Sequence, residues 1–285
     1  MDQKSADKQK ILFVENGAEL RARLAQALAA LGHDVVVLSE RHQALAREDI
    51  DDFDLIISDL TDEGPGVQAI EDRHRKRLFT SAPLPNLESE HIEAFKIGVN
   101  SLRLRRDANT LRLIMKETLS HKAHFMDASQ SANRVHEKID FELPSELSLM
   151  GIVIDYLLNS ATKLGLIKPE RSNLFVALDE AFVNAVKHGN RNDPTKLLRI
   201  TAELSSREAI FTVEDEGSGF NVSEIPDPCD PANLFRTTGR GVMLMCNIMD
   251  KVEYNAQGNR VTMVKRSGGH SLIESPPKRD KRSHR

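Results

Sequence analysis

The sequence predicts an α/β protein with an N-terminal doubly wound parallel sheet, followed by an α/β sandwich that sets helices against an antiparallel sheet. Three observations carry this reading. From residue 10 to about 120, short apolar runs alternate with amphipathic stretches, the pattern of strand–helix–strand units. After residue 138 the pattern changes to two long helices, then paired strands. Between the two lies FMDASQSANRVHEKID (125–140), polar and weakly periodic. The 285 residues suffice for two domains. The expected organisation is a front domain at 1–122, a linker at 123–140, a second domain at 141–268 and a basic tail at 269–285.

In the front part, KILFVEN (10–16) is a short apolar run ending in polar residues, as a buried strand does. Residues 18–31 place Leu20, Leu24, Ala27, Leu28 and Leu31 at helical spacing, and Gly32 stops the helix. DVVVLS (34–39) is strand-like, a short helix follows near 41–48, and FDLIISDL (53–60) is a buried strand with an acid at its end. The spacing then predicts a helix at 66–77, a strand at 77–82, a helix at 88–98, a strand at 99–105 and a helix from Asp107 to about His124. In the second part the expectations are a strand at 138–143, helices at about 146–164 and from Pro169 to Lys187, strands at 197–204 and 208–216, a loop at 221–238, a helix at 241–249 and a closing hairpin.

Composition narrows the function classes. The chain is 40% hydrophobic and 29% charged, with a net charge of -4, so bulk nucleic-acid binding and direct DNA binding are not expected. No apolar run approaches the ~18 residues of a membrane span, and MDQKSADKQK lacks the apolar core of a secretory signal. The expectation is a cytoplasmic protein. Cys229 and Cys246 form no CxxC, and packing explains Cys246, so zinc and disulfide readings are poor. The tail GGHSLIESPPKRDKRSHR reads most simply as disordered, with RNA or lipid binding the weaker reading.

Three stretches bear chemistry. LDEAFVNAVKHGN (178–190) is apolar nearly all round, yet it sets Glu180, Asn184 and His188 on one stripe. Buried polar groups need partners or a cleft, and for this helix alone capping and backbone bonding would explain them. VEDEGSGF (213–220) ends a strand in Asp215, followed by Gly217 and Gly219. Such a turn lets backbone approach a flat ligand while the carboxylate accepts from an exocyclic amine. Gly239-Arg240-Gly241 opens a helix whose first N–H groups can hold phosphate. Each motif alone is weak; the three in this order are specific.

Together they resemble the N-box and the two glycine boxes of the GHKL ATPase fold, over about 141–266. EAFVNAVKHG is most similar to the anti-sigma-factor serine kinases. That resemblance implies ATP and Mg²⁺, with Asn184 as the magnesium ligand through its amide oxygen and Glu180 as general base for a serine hydroxyl. Asp215 would select adenine, Gly217 and Gly219 would permit its approach, and 221–238 would be the ATP lid. Arg236 or Arg240 would contact the γ-phosphate, with Arg236 preferred; a solvated lid arginine is the plain alternative. His188 is given no catalytic role. The implied partners are a STAS-domain anti-sigma-factor antagonist as substrate and a sigma factor as the sequestered protein, with a homodimer as the assembly. A histidine kinase is the competing class. It needs a phospho-accepting histidine ahead of the ATP domain, and His121, His124 and His136 sit in no H-E/D-x-x-x-P pattern. A non-catalytic ATP-binding partner-switch module is the other competitor, and Glu180 argues against it.

Residues 9–120 resemble a response-regulator receiver. Asp59 stands at the phospho-acceptor position, Glu15 and Asn16 at the paired acidic positions, Thr80 or Ser81 at the hydroxyl position, and Arg105 where a lysine is usual. The departures are Asn16 for an acid, Arg105 for a point-charge lysine, and TDEGP after the acceptor. Two readings stay open: an Asp59 phosphorylated slowly by way of an upstream histidine kinase, and a degenerate form that docks partners or dimerises.

Overall fold

The computed structural model describes residues 8–60, 91–99, 108–128, 135–168, 172–220 and 240–268. The expected helix at 66–77, the strand at 77–82, the lid at 221–238, the tail, and the positions Thr80, Ser81, Arg105, Cys229, Arg236 and Gly239 lie outside these residues.

Nine strands form one continuous sheet: β1 (Lys10–Val14), β2 (Asp34–Leu38), β3 (Leu55–Asp59), β4 (His91–Val99), β5 (Val135–Pro144), β6 (Leu197–Leu204), β7 (Glu208–Asp215), β8 (Lys251–Tyr254) and β9 (Arg260–Arg266), in the order β2-β1-β3-β4-β5-β6-β7-β9-β8. The longer helices are α1 (Ala18–Ala30), α3 (Ala108–Ala128), α4 (Leu147–Lys163), α5 (Leu174–Val183) and α6 (Arg240–Ile248), with a short α2 at Arg41–Leu45. α1 packs on α3, α3 on α4, α4 on α5 and α5 on α6, a row of helices with a single apolar core between them and the sheet. A small second core of Leu12, Val14, Ala44, Ile50, Phe53 and Ile56 covers the other side of β1 and β3.

β1 pairs in parallel with both β2 and β3, as a doubly wound start requires. Two expectations are corrected here. The helix expected at 88–98 is β4 over 91–99, and it runs antiparallel to β3, so the front sheet is not uniformly parallel. Ile92 and Phe95 mimic a helical repeat, but the Phe95, Ile97 and Val99 side chains are buried, and the strand is bonded along both edges, to β3 and, in parallel, to β5. A central strand satisfies its main chain on two sides, and that outweighs a short local periodicity. Of the last strand, expected at 99–105, only Val99 is among the described residues, as the final residue of β4.

From β5 onward every pairing is antiparallel, the sandwich the sequence implies. The strands expected at 197–204 and 208–216 are β6 and β7, the second ending at Asp215. Leu198, Ile200, Ala202 and Leu204 on β6, and Ala209, Phe211 and Val213 on β7, are buried toward the helices. α4 is driven by Leu149, Met150, Val153, Ile154, Leu157 and Ala161, one wide apolar face. Among the described residues no helix is long and apolar enough to cross a membrane.

Candidate nucleotide site

α5 does not end at Val183. Its backbone widens into a turn of π-helix over Asn184–Gly189. Such widened turns accommodate an extra residue and occur often at functional sites. The buried face of the helix is Leu174, Ala177, Leu178, Ala181 and Phe182, continued by Ala185 and Val186. Glu180 and Asn184 are only half-buried, on the side turned toward the start of α6.

That start is Arg240-Gly241. A Cβ built on Gly241 would run into the Glu180 carboxylate and stand 3.4 Å from the Asn184 side-chain nitrogen. Glycine is what lets the first turn of α6 lie against these two side chains. α6 is fixed there by Met245, Ile248 and Met249, which are buried in the common core. The N–H groups of a helix start thus stand beside an amide and a carboxylate.

The other end of the π turn meets the end of β7. Asp215 is buried and packs on Gly189 and Gly217, at both of which a Cβ would collide with its carboxyl group. Asp215 Oδ1 accepts the Gly217 N–H at 2.8 Å. Burial pushes the Asp215 carboxyl above the usual carboxylate range, with the Gly217 N–H and the charge of Lys196 pulling the other way. Gly219, in the left-handed region at φ +71, lies against the backbone of Gln257 in the β8–β9 turn. Nine residues separate Glu180 from Gly189, roughly 13 Å along a helix. One element therefore carries a carboxylate and an amide at one end and abuts a buried acid at the other.

Of the expected positions, Glu180 and Asn184 lie against Gly241, Asp215 lies against Gly217 and Gly189, and Gly219 lies against Gln257. Arg240 opens α6. His188 is exposed. Four residues that the sequence reading did not single out hold the cleft in shape. Asn190, fully buried, donates to Leu197 O at 3.0 Å and accepts the Glu216 N–H at 2.8 Å. Asn259 donates to Asp215 O at 3.0 Å, and its own carbonyl accepts the Asp215 N–H at 3.0 Å. Asn255 Oδ1 gathers the N–H groups of Gly258, Asn259 and Arg260. Gly189 makes room for the Asp215 carboxyl. The local signal for Gly189 and Asn190 was the Gly-Asn pair that closes the helix.

These residues suit a magnesium nucleotide. The groups facing Gly241 are a Glu180 carboxylate oxygen and the Asn184 amide, whose own oxygen is of the hard kind magnesium takes. The α6 start offers backbone donors to an anion, and the buried acid offers an acceptor to an amine.

A two-layer unit of five antiparallel strands and three helices, with this cleft between helix and glycine turns, is a kinase-type ATPase fold. Residues 143–265 match the family model of the histidine kinase-like ATPase domain. The anti-sigma F factor of Clostridium perfringens (strain SM101 / Type A) is 31% identical over 97 residues, 33% of this chain and 69% of that protein. The anti-sigma F factor of Geobacillus sp. (strain WCH70) is 31% identical over 102 residues, 33% of this chain and 66% of its own length. The serine-protein kinase RsbW of Bacillus subtilis (strain 168) is 28% identical over 141 residues, 47% of this chain and 88% of that protein. This chain belongs to the family of these anti-sigma factors, within the histidine kinase-like ATPases. It spans just under two thirds, 66%, of the length of the Geobacillus relatives it matches.

Proposed function

We propose that the chain is an ATP-dependent serine/threonine protein kinase of the anti-sigma type. It phosphorylates a STAS-domain antagonist and sequesters a sigma factor when that antagonist is phosphorylated. The observation that carries this reading is the approach of Glu180 and Asn184 to Gly241, which sets a carboxylate beside the start of a helix that can hold phosphate. Binding of nucleotide alone would not need that carboxylate.

In this reading Mg·ATP, when bound, supplies the transferable phosphoryl group. Asn184 would hold the magnesium through Oδ1, and the N–H groups at the start of α6 would hold the phosphates. Asp215 would accept the exocyclic amine of adenine, and a guanine carbonyl at that place would face a carboxylate instead. Glu180 takes the proton of the acceptor serine as its oxygen bonds to the γ-phosphorus and the bond to ADP breaks. Arg236 is the proposed contact to the γ-phosphate, with Arg240 the second choice, and Gly239 belongs to the same phosphate turn. The assembly proposed is a homodimer, with the front part of the chain as its regulatory unit.

The test is transfer of labelled phosphate from ATP to a serine-bearing STAS protein by the full chain. Acid-stable label, lost in Glu180→Ala while ATP binding remains, is the expected result. Acid-labile label would point to a histidine kinase. Hydrolysis without an acceptor would point to an ATPase, and unchanged transfer by Glu180→Ala would remove the proposed base.

A further inference from the structure

The end of β1 carries a buried ion pair that the nucleotide site does not use. Glu15 Oε2 accepts from Lys122 Nζ at 2.5 Å, and Glu15 Oε1 accepts the Gly17 N–H at 3.1 Å. Lys122 comes from α3, 107 residues along the chain, and both side chains are nearly out of solvent, at 11% and 7% exposed. The ammonium also lies 5.1 Å from the centre of the Phe95 ring. Phe95 is the β4 residue in register with Asp59. Val14 registers with Ser58, so Glu15 and Asp59 follow side by side at the ends of neighbouring parallel strands.

The likeness of this sheet end to a receiver implies a divalent cation shared by Glu15, Asn16 and Asp59. The residues do not fit one. Both oxygens of Glu15 are engaged by donors inside the protein. Asn16 is exposed and uncharged, and it offers its main-chain oxygen to Arg21 at 3.2 Å. A metal ion entering here would have to part a buried ammonium from its carboxylate and leave that ammonium uncompensated against an aromatic ring, the costly way to break a buried pair.

We infer that Lys122 is the resident cation of this cleft, and that Glu15–Lys122 is a metal-independent clamp tying β1 to α3. The charge that a divalent ion would supply is already built into the chain. α3 packs along α4, so the clamp joins the front of the sheet to the helix row of the ATPase fold. A signal entering through the front unit then arrives by contact or by displacement of α3, and not by magnesium-dependent phosphorylation of Asp59. The inference does not rest on the kinase reading, and its test leaves nucleotide out.

The test uses the full chain without nucleotide. Mn²⁺ is titrated by water-proton relaxation, and acetyl phosphate with Mg²⁺ is used to label Asp59. The wild-type chain is expected to show no Mn²⁺ site that Glu15→Gln weakens, and no alkali- and hydroxylamine-labile phosphate that Asp59→Asn removes. Lys122→Met is expected to gain a millimolar or tighter Mn²⁺ site that is lost again when Glu15→Gln is added, and Lys122→Arg is expected to gain none. A wild-type Mn²⁺ site weakened tenfold or more by Glu15→Gln would overturn the inference, as would Asp59 labelling. So would a folded Lys122→Met chain with no gain. If Lys122→Met does not fold, the two wild-type measurements still decide.

Discussion

Asn190 Oδ1 accepts the backbone N–H of Glu216 at 2.8 Å, across 26 residues of chain, while its Nδ2 holds Leu197 O at 3.0 Å. One amide thereby pins the closing turn of the nucleotide helix to the start of β6 and to the glycine turn after Asp215. Asn190→Ala leaves a backbone donor and an acceptor without this partner in a fully buried place. The expected loss is about 2–4 kcal/mol of unfolding free energy, set by two stranded groups at about 1–2 kcal/mol each. Denaturant titration measures it. Asn190→Asp keeps the acceptor but not the donor, and is expected to fall between wild type and Asn190→Ala.

Gly241→Ala separates position from stability. The new methyl meets the Glu180 carboxylate, the far end of a side chain that can swing away. The fold is therefore expected to survive with a loss of no more than ~1–3 kcal/mol. A base displaced by about 1 Å costs far more in rate, on the order of a hundredfold. The expected outcome is a thermal midpoint within a few degrees of wild type and phosphate transfer down roughly a hundredfold. Transfer at wild-type rate would show that the Glu180–Gly241 approach has no part in catalysis.

How much of this was legible in the sequence differs from element to element. Arg199, Thr201 and Glu203 on β6, and Thr212 and Glu214 on β7, alternate with inward residues Ile200, Ala202, Phe211 and Val213, although Leu197-Leu198 and Ala209-Ile210-Phe211 interrupt the period. Glu180 and Asn184 were legible only through the order of the three motifs; the helix itself reads as apolar nearly all round, whereas Phe175 and Val176 stand exposed. β4 was misread because Ile92 and Phe95 fit a helical repeat, and nothing local reveals that β3 and β5 flank the segment on both sides. Asn190 and Lys122 were missed for a related reason. Their partners Glu216 and Glu15 lie 26 and 107 residues away, and a lone amide or lysine carries no sign of a distant partner.

Asp215 ties function to a stability cost that grows with pH. Burial raises its folded-state pKa above the unfolded value. The neutral acid is thus favoured in the fold, and stability linked to this group is full below the unfolded pKa and falls as pH rises through the raised one. At neutral pH the ionised carboxylate is a burden that Asp215→Asn removes while keeping an acceptor for the Gly217 N–H. The variant is expected to gain in stability relative to wild type at pH 7, and the gain should shrink toward pH 4. ATP affinity should fall roughly tenfold or more, the loss expected for a charged hydrogen bond worth about 1.5–3 kcal/mol. Unfolding curves at a series of pH values, with nucleotide titrations at pH 7, check both halves.

Lys138 tests what the centre of the sheet tolerates. It is 2% exposed on β5, and its Nζ lies 3.2 Å from Glu203 Oε1 on β6, the residue directly opposite it in register. Leu, Ile or Phe would be the ordinary occupant of so dry a place, and taking an ammonium there costs several kcal/mol before the partner offsets it. Lys138→Met removes the ammonium and leaves Glu203 with enough solvent contact to rehydrate in part. The expected loss is about 3 kcal/mol, at the lower end for breaking a buried pair. Replacing both, Lys138→Met with Glu203→Leu, fills the same volume with apolar groups and is expected to recover most of that loss. The double variant should then unfold within about 1 kcal/mol of wild type. If the pair instead contributes net stability, the double variant will fall as far as the single one, and denaturant midpoints of the two proteins distinguish these outcomes directly.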